Sequence, residues 1–162
     1  MGGQAVKAPT GYEDLFRTEH ARLAASLATI DADAADAVQE AFVQAYVHWR
    51  RVRDLDDPAG WVRRVAVNRL LNVRRSKARR DAAVQRITTA PSAVDTDTRM
   101  HLADAIRELP RQQQIAVVLF YGRDLSIDSI ADAMDISDGA VKYHLHEGRE
   151  RLRALLLENV DD

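Results

Sequence analysis

Five residues spaced three or four apart, Trp61, Arg64, Asn68, Asn72 and Arg75, fall on one face of a helix. Together they supply an aromatic ring, two amides and two guanidiniums. That set suits an unpaired DNA strand, because a ring stacks on bases, amides meet base edges and cations meet phosphate. Plain packing of Trp61 at a helix start is the competing reading. A second set lies in the last third of the chain. Ser126 and Ser137 each stand where a helix N-cap is wanted, and Asp135 stands between the two helices they would start. Asp tolerates a left-handed backbone better than most residues, so it suits a tight turn. Ile127, Ile130, Ala131 and Met134 fall on one face, with Ile136, Val141 and Leu145 opposite. The pattern is that of a helix-turn-helix, and it points to duplex DNA.

Catalytic and metal chemistry find little support. The chain has no cysteine, which removes disulfides, thiolate metal sites and a Cys nucleophile. A recombinase or nuclease would need a positioned Ser or Tyr or clustered carboxylates, and Ser76 beside Arg74, Arg75 and Arg79 is the one candidate. His144 and His146 lie two apart, which on a helix points them in different directions. No catalytic residue, metal or cofactor is expected. A conventional regulator that binds a palindromic site as a dimer is the other alternative.

The elements that must position these residues read as all-α, since Gly and Pro are sparse and strong helix formers dominate. A first helix is expected from Tyr12 to Thr29, with Leu15, Phe16, Leu23 and Leu27 in the core. A second runs from about Asp33 to Trp49, burying Val38, Phe42, Ala45, Tyr46 and Trp49. Its opposite face carries Asp36 and Glu40 with Val43 and Val47, and Gln39 and Gln44 at the edges. Valines beside carboxylates suggest a docking surface, although they could equally touch a neighbouring helix. Residues Asp54 to Gly60 read as a loop broken by Pro58 and Gly60. A third helix then spans Trp61 to Arg80, lined by Val62, Ala66, Leu70 and Val73.

Asp81 to Arg99 loses periodicity and reads as a flexible linker, at most roughly 60 Å long when extended. Beyond it are expected a helix from His101 to Leu109, then one that Pro110 opens and Gly122 caps, then the helix-turn-helix. Two small helical domains result, at 10–81 and 101–158, with 82–100 between them. At 162 residues the length suits such a pair.

The net charge of -2 conceals its distribution. Residues 50–86 hold 12 basic and 4 acidic side chains, while residues 1–49 hold 3 and 7 and residues 87–162 hold 8 and 14. A cationic block can engage phosphate while acidic flanks suppress indiscriminate binding. No run approaches the roughly 20 apolar residues of a membrane span, so no membrane insertion is expected. Met1 to Thr10 lack the apolar block of a signal peptide, which suggests a cytoplasmic protein.

With these pieces in place the chain resembles a bacterial RNA polymerase sigma factor of the extracytoplasmic-function (group 4) kind. The most specific segments are Asp36-Ala37-Val38-Gln39-Glu40-Ala41-Phe42, then Asp57-Pro58-Ala59-Gly60-Trp61-Val62-Arg63-Arg64-Val65-Ala66-Val67-Asn68, then Glu108-Leu109-Pro110 leading to the helix-turn-helix. The resemblance implies core RNA polymerase and promoter DNA as partners, and an anti-sigma factor as a candidate regulator. It implies that Asp36, Gln39, Glu40 and Val43 contact the polymerase clamp. It implies that Trp61, Arg64, Asn68, Asn72 and Arg75, with the Asp54–Gly60 loop, read the melted minus-ten element. Ser137, Lys142, Tyr143 and His144 would face the minus-thirty-five duplex. The chain departs from the family pattern at Asp135, where Gly is usual in the turn, and at Ala140, His144, Glu147 and Gly148 of the recognition helix.

Overall fold

The computed structural model describes the backbone of residues 10–83 and 101–158, and side chains outside 73–83 within those ranges. Among the described residues the α-helices are α1 (Tyr12–Ala28), α2 (Ala34–Val47), α3 (Trp49–Val52), α4 (Pro58–Ala83), α5 (Leu102–Arg107), α6 (Arg111–Val117), α7 (Ile127–Met134) and α8 (Asp138–Glu158). Among the described residues there is no strand. Residues 84–100, which hold most of the expected linker, lie outside the description.

The start of α4 differs from the sequence expectation. Pro58 begins the helix, three residues before Trp61. Its fixed φ and missing N–H suit the first helical position, and the Asp57 carboxylate accepts the Gly60 N–H at 3.0 Å. A Cβ on Gly60 would come within 2.5 Å of that carboxylate. The two residues expected to break a loop therefore build a cap.

Helix α2 ends two residues early, because His48 leaves helical geometry at φ -102, ψ 21. Trp49 then opens the single turn α3, and its indole N–H donates to the Thr10 carbonyl at 3.0 Å. Leu23, Leu27, Val38, Phe42, Ala45 and Trp49 are buried as expected. Two expected core residues are not: Phe16 is 42% exposed, stacked on His20, and Tyr46 is 39% exposed, edge-on to Tyr12. Leu15 is half-buried. Tyr12 packs among these rings and donates to the Phe42 carbonyl at 2.9 Å. Burial, with a smaller contribution from Tyr46, raises its phenol above the usual range.

In the second half, α6 begins at Arg111 with Pro110 still extended, one residue later than expected. Its last turn widens into a π-helical turn over Val118–Gly122, closed by a hydrogen bond from Leu125 N–H to the Leu119 carbonyl. Gly122 is thus not the C-cap. The left-handed residue of this corner is Asp124, at φ 54.

The halves do not stand apart. Helix α4 lies against α7, α1 touches the π turn, and one apolar cluster runs from Leu23 and Val62 through Ile115, Ile130 and Leu152. Charged pairs seal the junction: Arg123 to Glu19 and Arg111 to Asp31, both at 2.6 Å, and Arg64 to Asp135 at 3.2 Å.

Candidate nucleic-acid and polymerase interface

The helix-turn-helix is built as its residues demand. Ser126 accepts the Ser129 N–H at 3.1 Å and starts α7. Asp135 takes φ 56, ψ 49 in the turn, and the Ile136 N–H bonds back to the Ala131 carbonyl at 3.1 Å. Ser137 then accepts the Ala140 N–H at 3.1 Å and starts α8. Ile130, Ala131, Met134, Val141 and Leu145 are buried, which fixes the angle between the two helices. Helix α8 has 21 residues, about 31 Å at 1.5 Å per residue.

Along the outer side of α8, Ser137, Lys142 and Tyr143 are exposed. His144 is only half-buried, not fully outward, and its Nδ1 is enclosed without a hydrogen-bond partner among the described residues. Burial holds its imidazole below the ordinary value, so the neutral form is favoured.

On α4 the expected strand-reading residues are unequal. Arg64 and Asn72 are exposed, Asn68 is half-buried, and Trp61 is half-buried with its ring packed on the core. The Arg75 side chain lies outside the described residues. Trp61 thus combines packing with a partly open ring. On α2, Asp36, Gln39, Val43 and Val47 are exposed and Glu40 is half-buried, bonded to Gln44 at 3.2 Å. Val43 and Val47 are 47% and 66% exposed, so among the described residues no helix buries them.

Sequence reasoning missed a buried electrostatic layer. Arg63 is buried beside the minus-ten candidates and pairs with Asp57 at 3.2 Å and Glu19 at 3.8 Å. Glu19 also receives Arg123, and Arg111 reaches Asp31. An isolated Arg on a helix reads as solvated surface, and no spacing signals a partner some 80 or 104 residues away.

Comparison with known proteins decides between a regulator and a polymerase subunit. Residues 16–80 match the Sigma-70 region 2 family and residues 99–152 match Sigma-70, region 4. Over 150 residues the chain is 30% identical to the ECF RNA polymerase sigma factor SigM of Mycobacterium tuberculosis, covering 90% of this chain and 76% of that one. The chain belongs to the ECF RNA polymerase sigma factors. It is also 31% identical to the RNA polymerase sigma factor CarQ of Myxococcus xanthus over 160 residues, 93% of this chain and 92% of that one. The fold of this sigma factor matches that of the sigma factor RpoE from Bartonella quintana, solved in complex with the anti-sigma factor NepR. That match has a TM-score of 0.73 at 18% identity, covering 91% of this chain and 98% of RpoE.

As a sigma factor the protein binds core RNA polymerase and promoter DNA and directs promoter-specific transcription initiation. The α4 face belongs to the region 2 match and the helix-turn-helix to the region 4 match. Among the described residues no helix is long and apolar enough to cross a membrane.

Proposed function

We propose that residues 10–81 dock on the polymerase clamp and read the melted minus-ten element, while residues 101–158 read the minus-thirty-five duplex. The observation that carries the docking half is the row of Val43 and Val47 left in solvent beside Asp36, Gln39 and Glu40. Exposed apolar side chains within a charged rim are the composition of a partner surface. For strand reading, Arg64, Asn68 and Asn72 with Trp61 offer charge, amides and a ring on a rigid helix. For duplex reading, the Ser137-capped start of α8 can meet a phosphate with its free N–H groups, with Lys142 adding a charge nearby.

The polymerase performs all the chemistry in this scheme, so the sigma factor needs no catalytic residue and acts in the cytoplasm. An anti-sigma factor that holds it inactive fits the same picture, since RpoE was solved bound to one.

The test replaces Asp36, Gln39 and Glu40 together by Ala. These side chains lie off the buried face of α2, so the helical content should be unchanged. Association with core polymerase and transcription from a genomic DNA pool should be lost. Co-purification with polymerase at the wild-type level would remove the clamp assignment.

A further inference from the structure

We propose that this sigma factor reads the 5-methyl group of a thymine in the upstream duplex with the ring of Tyr143, and that Gly139 lets α8 come close enough to do so. Such reading rests on residues 101–158 meeting the minus-thirty-five duplex. Helix α8 turns Val141, Leu145, Gly148 and Leu152 inward. Opposite them, near its start, stand Gly139, Tyr143 and His146, spaced four and three apart and all exposed. Tyr143 projects furthest, at 60% exposure. Its ring lies edge-on to His144, with 5.6 Å between centroids. His144, grouped with Tyr143 from the sequence, is half-buried to one side of this row. It backs the ring and does not lead the face.

The chemistry of the row narrows what it can read. Hydrogen-bond readout in the major groove uses Arg or Lys for guanine and Asn or Gln for adenine. Helix α8 has no Asn or Gln, and its first guanidinium, Arg149, donates to the Tyr121 hydroxyl at 3.2 Å. Lys142 stands beside the row and is the residue assigned to phosphate. Asp138 and Glu147 are the other charged side chains before Arg149. A carboxylate has no proton to donate to guanine O6 or N7. At the centre of the row is therefore an aromatic surface, which His146 extends by one turn. The apolar group that a base edge offers in the major groove is the thymine methyl.

Gly139 supplies an independent observation. A glycine in a helix costs about as much as any residue but proline, and nothing within the fold requires this one. Its backbone is not left-handed, and an added Cβ would have only the Ser137 hydroxyl within 4 Å, at 3.9 Å. The missing side chain leaves space on the outer side of the first turn. Glycine serves in this way where a backbone must approach a ligand closely. A helix seated deeper in the groove brings Tyr143, one turn on, down to the base edges.

The experiment uses holoenzyme and a promoter duplex that it selects from genomic DNA. Each thymine of the upstream element is replaced in turn by uracil, which removes the methyl and leaves the hydrogen-bonding groups unchanged. Binding should weaken about fourfold at one or two positions, the worth of about one buried carbon. At those positions 5-methylcytosine should bind about fourfold better than cytosine. Tyr143→Phe should keep both differences, whereas Tyr143→Ala should bind the methylated and unmethylated elements alike. Gly139→Ala should raise the urea midpoint yet weaken upstream binding, and the opposite signs separate lost approach from misfolding. If scrambling the element weakens binding but uracil does not, the methyl reading is overturned while the duplex assignment stands. A uracil effect that survives in Tyr143→Ala would give the methyl to another residue and overturn the role of the ring. Unchanged or tighter binding by Gly139→Ala would overturn the close approach. If scrambling itself has no effect, the duplex assignment of residues 101–158 falls, and the methyl reading with it.

Discussion

Gly148 shows how one residue can look like a defect in sequence and be required in structure. In a helix interior Gly costs about 1 kcal/mol against Ala. A Cβ at this position, however, would lie 2.9 Å from Cγ2 of Val117, which is buried and cannot swing aside. Gly148 lets α8 approach α6. Gly148→Ala should gain about 1 kcal/mol of helix preference and lose about 1–3 kcal/mol to overpacking. We expect net destabilisation, read as a lower urea midpoint; a raised midpoint would show that α6 yields. His144 supplies a pH dependence at the same scale. Its imidazole is held below the ordinary value by burial, so as pH falls through about 6.5 the unfolded chain takes up the proton first. Its contribution to stability is therefore full above that pH, declines toward the folded-state value and levels off below it. His144→Gln should shrink the difference between urea midpoints at pH 7.5 and 5.5. An unchanged difference would place the pH dependence in other groups.

At the scale of elements, the two serine caps give a paired test. Ser126 and Ser137 each accept one backbone N–H at 3.1 Å, so replacing either by Ala should cost about 1 kcal/mol of stability. Only Ser137 opens the helix assigned to the duplex. Ser137→Ala should also weaken holoenzyme binding to promoters with an intact upstream element, whereas Ser126→Ala should not. Equal effects on binding would remove the start of α8 from the DNA contact. Lys142→Ala should weaken that binding across sequences and lower its salt slope by about one unit. A slope unchanged in a salt titration would mean that Lys142 meets no phosphate. Helix α4 calls for a different readout, because Trp61 is partly engaged in packing. Trp61→Ala should reduce promoter opening by roughly tenfold to a hundredfold, from about 1–3 kcal/mol of stacking, with urea unfolding measured alongside. Unchanged permanganate reactivity of promoter thymines would leave the ring a packing residue only.

For the whole molecule, one apolar cluster crossing the junction has a thermodynamic consequence. The helices of both family regions contribute to it, from Leu23 in α1 to Leu152 in α8. Calorimetry of the free chain should therefore show one unfolding transition, with calorimetric and van't Hoff enthalpies in agreement. Two resolved transitions would show that the halves fold independently and that their packing adds little.

Local chemistry determined much of this protein before any tertiary contact. Apolar residues three and four apart marked the buried faces of α1, α2 and α4, while Ser126 and Ser137 marked the starts of α7 and α8 and Asp135 the turn between them. Three motifs in order carried the resemblance to its family. These signals survive in sequence because each depends on neighbours within about one helical turn. The tertiary structure decided what depends on distant partners. It turned Pro58 and Gly60 from loop breakers into a helix start, left Phe16 and Tyr46 half in solvent and moved the corner from Gly122 to Asp124. It also paired Arg123 with Glu19 across 104 residues and Arg111 with Asp31 across 80. An arginine's spacing to its neighbours says nothing about which carboxylate folding will bring to it. The closing of the two halves is therefore written only in three dimensions.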